Sequence, residues 1–183
     1  MLQKIFLPVM LLVSVNLAAQ TTSTPDKHVL AMQRMMMKLV SAAPGNFASI
    51  KGTPENQQGS TVFYKANLTA TVTDAAEMKE ALATDFFGAM QTADDHIVVT
   101  PEGTIYLARY TDDAEFSISA MVTTAFTTLP AYIGKAANAK VDKVPGPTAD
   151  QAVYIFTVNN ITAGRLTCDS KAGTAALIIG VKK

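Results

Sequence analysis

Apolar residues recur at helical spacing over residues 25–43, where Val29, Met32, Met36, Leu39, Val40 and Ala43 form one stripe ahead of Pro44-Gly45. Thr24, Pro25 and Asp26 in front of it suit a helix N-terminus: a capping hydroxyl, a ring at the first helical position and an acid at the positive end of the dipole. "GNFASIKG" reads as an irregular segment that tucks Phe47 and Ile50 back onto the core. The period then changes to two. In "TVFYKANLTATV" (61–72), Val62, Tyr64, Ala66, Leu68, Ala70 and Val72 alternate with Lys65, Asn67, Thr69 and Thr71, which predicts a half-buried strand.

Asp74 and Glu77 have capping-box spacing, and Met78, Leu82, Phe86 and Met90 follow at every fourth residue, so a further helix is expected over 75–91. "HIVVT-PEG-TIYLARY" reads as a hairpin turning at Pro101 to Gly103. The second half runs in the same order. Asp112 and Glu115 make another capping box before a helix over 114–129, whose stripe is Ile118, Met121, Val122, Ala125, Phe126 and Leu129. "EFSISAMV" also alternates, so a strand there stays open as an alternative. "AVYIFTVNNITA" predicts one strand, and "GRLTCDSKAGTAALIIGV" a hairpin turning at Ser170 to Gly173.

The halves superpose as sequences. Met32, Met36, Leu39 and Pro44 align with Ile118, Val122, Ala125 and Pro130 at an offset of 86. Asn67-Leu68-Thr69-Ala70 aligns with Asn160-Ile161-Thr162-Ala163 at 93, and Gly103-Thr104 with Gly173-Thr174 at 70. Insertions therefore fall between elements, as a duplication requires. The expected fold is α+β: two tandem repeats (24–110 and 111–183), each a helix plus three antiparallel strands, with an extra helix inserted in the first, in one compact domain. This order resembles that of tandem helix-plus-meander proteins such as the β-lactamase inhibitor proteins and secretion-chaperone-like domains. The resemblance lies in topology alone and implies no function.

Residues 1–19 have the anatomy of a signal peptide: Lys4, an apolar run from Ile5 to Val15, and Leu17-Ala18-Ala19 before Gln20. They resemble bacterial signal peptides, and the run is too short for a permanent bilayer span. The mature chain is expected to start at Gln20, outside the cytoplasm, with no stable membrane span. At 49% hydrophobic and 16% charged residues it can form a packed core. Net charge is +0 with no basic block, which argues against nucleic-acid binding. A single cysteine, Cys168, excludes an internal disulfide; it reads as a structural thiol, with a nucleophile or intermolecular bridge as alternatives.

The methionine-rich stretch "HVLAMQRMMMKLV" divides by helical angle. Met32 and Met36 lie in the core stripe and Met35 at its edge, while Met37 falls near Leu30 on the solvent side, a candidate interaction surface. His28, Met32 and Met35 share a flank at i, i+4 and i+7, a donor set that Cu(I) or Ag(I) would select. Core packing by an adaptable side chain is the competing reading. In "TADDHIVV", neighbours on a strand point to opposite faces, so Asp94, Asp95 and His96 should not converge. Asn67 and Asn160 sit in N-glycosylation-type triplets that also suit exposed strand ends. No phosphate-binding glycine loop, nucleophile elbow or zinc-type histidine pair is present. The expectation is an exported, non-enzymatic binding module for a protein or small apolar ligand, with no cofactor. The alternatives are a periplasmic soft-metal handler using His28, Met32 and Met35, or an unrecognised hydrolase.

Overall fold

The computed structural model describes residues 27–68, 93–114, 116–133 and 138–180. Its elements are α1 (Lys27–Ala42), a 3-10 turn (Ala43–Gly45), β1 (Lys51–Gln58), β2 (Thr61–Ala66), β3 (Ala93–Thr100) and β4 (Gly103–Thr111). After these come α2 (Ile118–Thr127), α3 (Leu129–Ile133), β5 (Ala139–Pro145), β6 (Gln151–Val158), β7 (Ile161–Asp169) and β8 (Thr174–Ile179). All eight strands form one antiparallel sheet in the order β1-β2-β3-β4-β8-β7-β6-β5. Two meanders thus meet at β4 and β8, where Tyr106 pairs with Ile179 and Tyr110 with Ala175.

Both long helices lie on one face of that junction. They pack on each other, α1 also touches β8, and α2 touches β4, β7 and β8. Alternation along the strands sends Tyr106, Ala108, Tyr110, Ala175, Leu177 and Ile179 beneath them, and all six are buried. From above, Met32, Met35, Met36 and Leu39 of α1 meet Ile118, Val122, Ala125 and Phe126 of α2 in the same core cluster. Gln33, only 4% exposed, donates from Nε2 to Thr128 Oγ1 at 2.6 Å, and that hydroxyl donates to Thr124 O at 2.6 Å. This relay ties α1 to the end of α2 while satisfying a buried amide.

Pro44 and Gly45 end α1 as expected. Asn46 and Phe47 then take left-handed conformations (φ 52° and 55°), and the turn drops Phe47 and Ile50 into the core at 0% and 3% exposure. The hairpin turns at Pro101-Glu102 and at 170–173 also stand where the pattern put them. The segment at 118–127 is helix, not strand: burial of Ile118, Met121, Val122, Ala125 and Phe126 on one face outweighs the weak propensity of its threonines, whose hydroxyls bond back to the i−4 carbonyls.

Two expectations need correction. Among the described residues each long helix precedes four strands, not three. The strand that escaped in the first half, β1, is wholly exposed, and register shifts on both sides of Pro54 erase any alternation. Its counterpart β5 lies at the opposite edge, where lysines and Pro145 mask the pattern. The stretch 152–163 is not one strand: Asn159 and Asn160 take φ 51° and 65°, the left-handed pair a tight two-residue hairpin requires. The extra helix expected over 75–91, the residues after Leu68 in the expected strand, and Thr24 to Asp26 all lie outside the described residues. No described helix is long and apolar enough to cross a membrane.

Met36→Ala removes a fully buried side chain from the helix junction and should cost about 2–4 kcal/mol. Val122→Ala should cost less, because fewer methyl groups go. Met37→Ala should cost about 1 kcal/mol, since Met37 is half-buried against the core. Urea midpoints at unchanged slope measure all three. A Met37 loss equal to that of Met36 would show that its face is covered as completely as the core.

Candidate functional site

An open groove of about 1100 Å³ lies beside α2 on the helix-bearing face of the second meander. One wall is the flank of α2, with Ser119, Ala120, Thr123 and Thr124; the facing wall is Lys143, Pro145, Ala152, Tyr154 and Cys168, and the 146–150 loop closes one end. The groove exists because of how α2 is rolled. Ile118, Met121, Val122, Ala125 and Phe126 are buried in the core, so the small hydroxyl residues are left facing β5 and β6.

Asp112 sets the position of that helix. Its backbone N–H donates to Gly173 O at 2.8 Å, anchoring it to the β7–β8 turn. Its Oδ1 accepts from Ser119 N at 2.7 Å, and its Oδ2 accepts from Ser117 Oγ at 3.0 Å and Ser119 Oγ at 2.9 Å. Ser117, at the N-cap position, makes no side-chain capping bond itself. The acid foreseen as the start of a helix at 114 therefore caps one that begins at Ile118, reaching across seven residues to Ser119. Glu115 lies outside the described residues. Gly173 matters to this arrangement: its φ is +61°, and a Cβ there would come within 3.1 Å of Asp112 Oδ2.

Cys168 sits on the groove floor with its Sγ 3.0 Å from Thr123 Oγ1. The single Thr123 hydroxyl proton goes to Ser119 O at 2.7 Å, so the thiol donates and the hydroxyl accepts. Burial pushes the Cys168 thiol up. A raised pKa favours the protonated form of the sulfur over the thiolate. Lys143 lies 5.7 Å from the centre of the Tyr154 ring. Asp169 accepts from Ala172 N at 2.8 Å, Lys171 N at 3.1 Å and Gln151 Nε2 at 3.0 Å, bonds that lower its pKa, the Ala172 bond most.

Cys168 and Asp112 apart, the residues singled out in the sequence lie elsewhere. Met32 and Met35 are 0% and 2% exposed inside the core, and His28 is half-buried with its ring 5.7 Å from Phe116. Both thioethers belong to the core cluster beneath and beside α2 and meet almost no solvent. Leu30 and Met37 are both half-buried, and Met37 packs on the core, which corrects its expected solvent-side position. Among the described residues no group of three His, Cys, Asp or Glu side chains is placed to hold a metal ion.

Asp94, Asp95 and His96 do separate as alternation required. His96 stands between two carboxylates, Nε2 3.2 Å from Glu55 and Nδ1 3.5 Å from Asp94, with Phe63 edge-on at 5.9 Å. Asp95 points to the helix-bearing face, opposite Ala108 and between Tyr106 and Tyr110. Its Oδ2 and both tyrosine hydroxyls are buried without a well-formed hydrogen bond, although the two phenols lie close enough to interact. Burial raises the Asp95 pKa to about 6, with His96 opposing and Asp94 and Glu55 adding smaller effects. Burial likewise drives both phenols upward. Sequence reading missed this cluster because its acid belongs to a polar triplet and its tyrosines to a core strand.

Two variants probe these placements. Asp112→Ala should cost about 1–2 kcal/mol, as loss of a helix cap does, with helix signal lost ahead of sheet signal on heating. No change in the urea midpoint would refute its role. The Asp95 penalty is absent below its unfolded pKa, grows between about pH 4 and pH 6, and is complete above that. Asp95→Asn should therefore stabilise the protein at pH 7 by about 1 kcal/mol, after discounting for partial exposure, and the gain should vanish at pH 3.5. A gain of equal size at both pH values would contradict the raised pKa. Comparison with known proteins adds no likeness to this geometry: no protein-family model, no curated protein and no solved structure matches the chain, so the resemblance to helix-plus-meander proteins rests on element order alone.

Proposed function

We propose that the protein is an exported, non-enzymatic binding module and that its ligand site is the groove between α2 and the β5–β6 hairpin. The carrying observation is the groove itself: about 1100 Å³, open, and mixed in character, with small apolar residues beside hydroxyls and carboxylates. That combination suits reversible recognition. Its thiol is held protonated, and neither His28 nor His96 is among the described residues lining it, so no nucleophile–base pair is assembled there. Export is supported by the signal-peptide pattern of residues 1–19.

We further read the chain as two tandem units, 24–110 and 111–183, that share one sheet. Met32 and Ile118, Met35 and Met121, Met36 and Val122, and Leu39 and Ala125 are pairs at the offset of 86, and every member is buried. The order of strands is mirrored across β4 and β8. The β2–β3 connection, residues 67–92, stands where the second unit has only Asn159-Asn160. On this reading the first unit gained an insertion and the second formed the groove.

Amide chemical shifts during a screen of short peptides, sugars and small organic ions test the site. Ligands should shift Ser119, Thr123, Gln151 and Cys168 together. Shifts confined to α1 around Leu30 and Met37 would move the site there, and an absence of saturable shifts would remove the binding-module reading.

A further inference from the structure

The hydrogen bonds around the groove run in one direction. Ser117 and Ser119 donate their hydroxyl protons to Asp112, Thr123 donates to Ser119 O, and Thr124 donates to Ala120 O at 2.9 Å. Ser170 Oγ donates to Asp150 O at 3.1 Å, and Gln151 Nε2 donates to Asp169. A hydroxyl has one proton but two lone pairs. Once its proton is committed inward, the oxygen can offer an approaching molecule only an acceptor. The α2 wall therefore presents lone pairs, flanked by the methyl groups of its threonines and Ala120.

Charge agrees with this polarity. The lining holds three carboxylates, Asp112, Asp150 and Asp169, against one ammonium, Lys143. Asp112 and Asp169 each already accept three hydrogen bonds from protein donors, as described above. Asp150, exposed at the loop end, is the acid left to meet a ligand. The helix N-terminus next to the groove would attract an anion, but the Asp112 carboxylate already occupies that position. A ligand carboxylate or phosphate would thus meet lone pairs, like charge and a filled anion position. The opposite chemistry fits: Ala149, Ala152, Pro145 and Pro147 offer apolar contact for a small body.

We propose that the groove binds a small organic cation, an ammonium or guanidinium group on a compact apolar stem, through the lone-pair wall of α2 and the carboxylate of Asp150. This rests on the groove being the ligand site. Such a group could be carried by a peptide side chain or by a free amine, and the recognising chemistry is the same. Lys143 is then a selectivity element: it repels the cation and limits how many positive charges the ligand can carry.

Chemical-shift titrations in low salt with three small probes test the proposal: the monocations pentylammonium and Nα-acetyl-argininamide, and the dianion glutarate. Both cations should shift Ser119, Thr123 and Gln151 saturably, and binding should weaken as salt is raised. Asp150→Asn should weaken it about two- to fivefold, and Lys143→Met should tighten it by a similar factor. Tighter binding of the argininamide would point to a peptide-borne group, tighter binding of pentylammonium to a free amine; either supports the proposal. Glutarate shifting the same residues while the cations do not would overturn it and leave the groove as a binding site of opposite selectivity. Weaker cation binding by Lys143→Met would also overturn it. If none of the three probes shifts the groove, the cation proposal falls, and the wider ligand screen then decides whether the groove binds anything.

Discussion

The pairing of β4 with β8 is the constraint on which the rest of the structure depends. Each meander alone would be a four-stranded sheet with one helix across it, too little cover for an apolar face. Joined edge to edge, the two meanders bring their most apolar strands to the middle, where α1 and α2 lie side by side. Tyr106, Tyr110, Leu177 and Ile179 are then shielded by both helices at once. The Gln33–Thr128–Thr124 relay fits this picture, because a buried amide between two helices specifies one relative placement.

The same arrangement creates the groove. With α2 turned toward the central junction and pinned by Asp112, its outer flank cannot also cover β5 and β6. Small residues of α2 and Ala152 keep the space open, and Pro145 and Pro147 stiffen the loop at its end. Gly146 has no room for a side chain, since a Cβ would fall 2.5 Å from Gln151 O. The loop is thus pressed against the start of β6, and the mouth of the groove is shaped by backbone rather than by long side chains.

Much of the fold was legible because burial imposes a period. The α1 and α2 stripes, the central hairpins and their turns all follow from one face being apolar, and the sequence pattern marked them closely. What escaped lacked such a face. β1 is solvated along its whole length, so nothing constrains its residues to alternate. Asn159-Asn160 is a turn encoded by backbone conformation, invisible to hydropathy because polar residues also suit an exposed strand. The groove was illegible for another reason. Thr123, Lys143, Gln151 and Cys168 are brought together by tertiary packing, and each alone looks like ordinary surface or core. The methionine run is core: Met32, Met35 and Met36 are buried in one cluster and Met37 packs against it, as adaptable gap-filling side chains do. Asp112 was recognised as a cap, but its span could not be, since the anchoring Gly173 turn comes from the far end of the chain.

The two strands hidden from the pattern, β1 and β5, are also the borders of the sheet. An unpaired border is a template on which another extended chain can build, and an eight-stranded antiparallel sheet offers two of them. Here one border is interrupted by Pro54, which has no N–H to offer and lies between two breaks in register. The other carries the Lys140–Asp142 ion pair at 2.8 Å and ends in Pro145. Irregularity and charge at the rim thus discourage strand-by-strand growth into fibres. The regular, hydrophobic strands are confined to the interior, where they have no free edge.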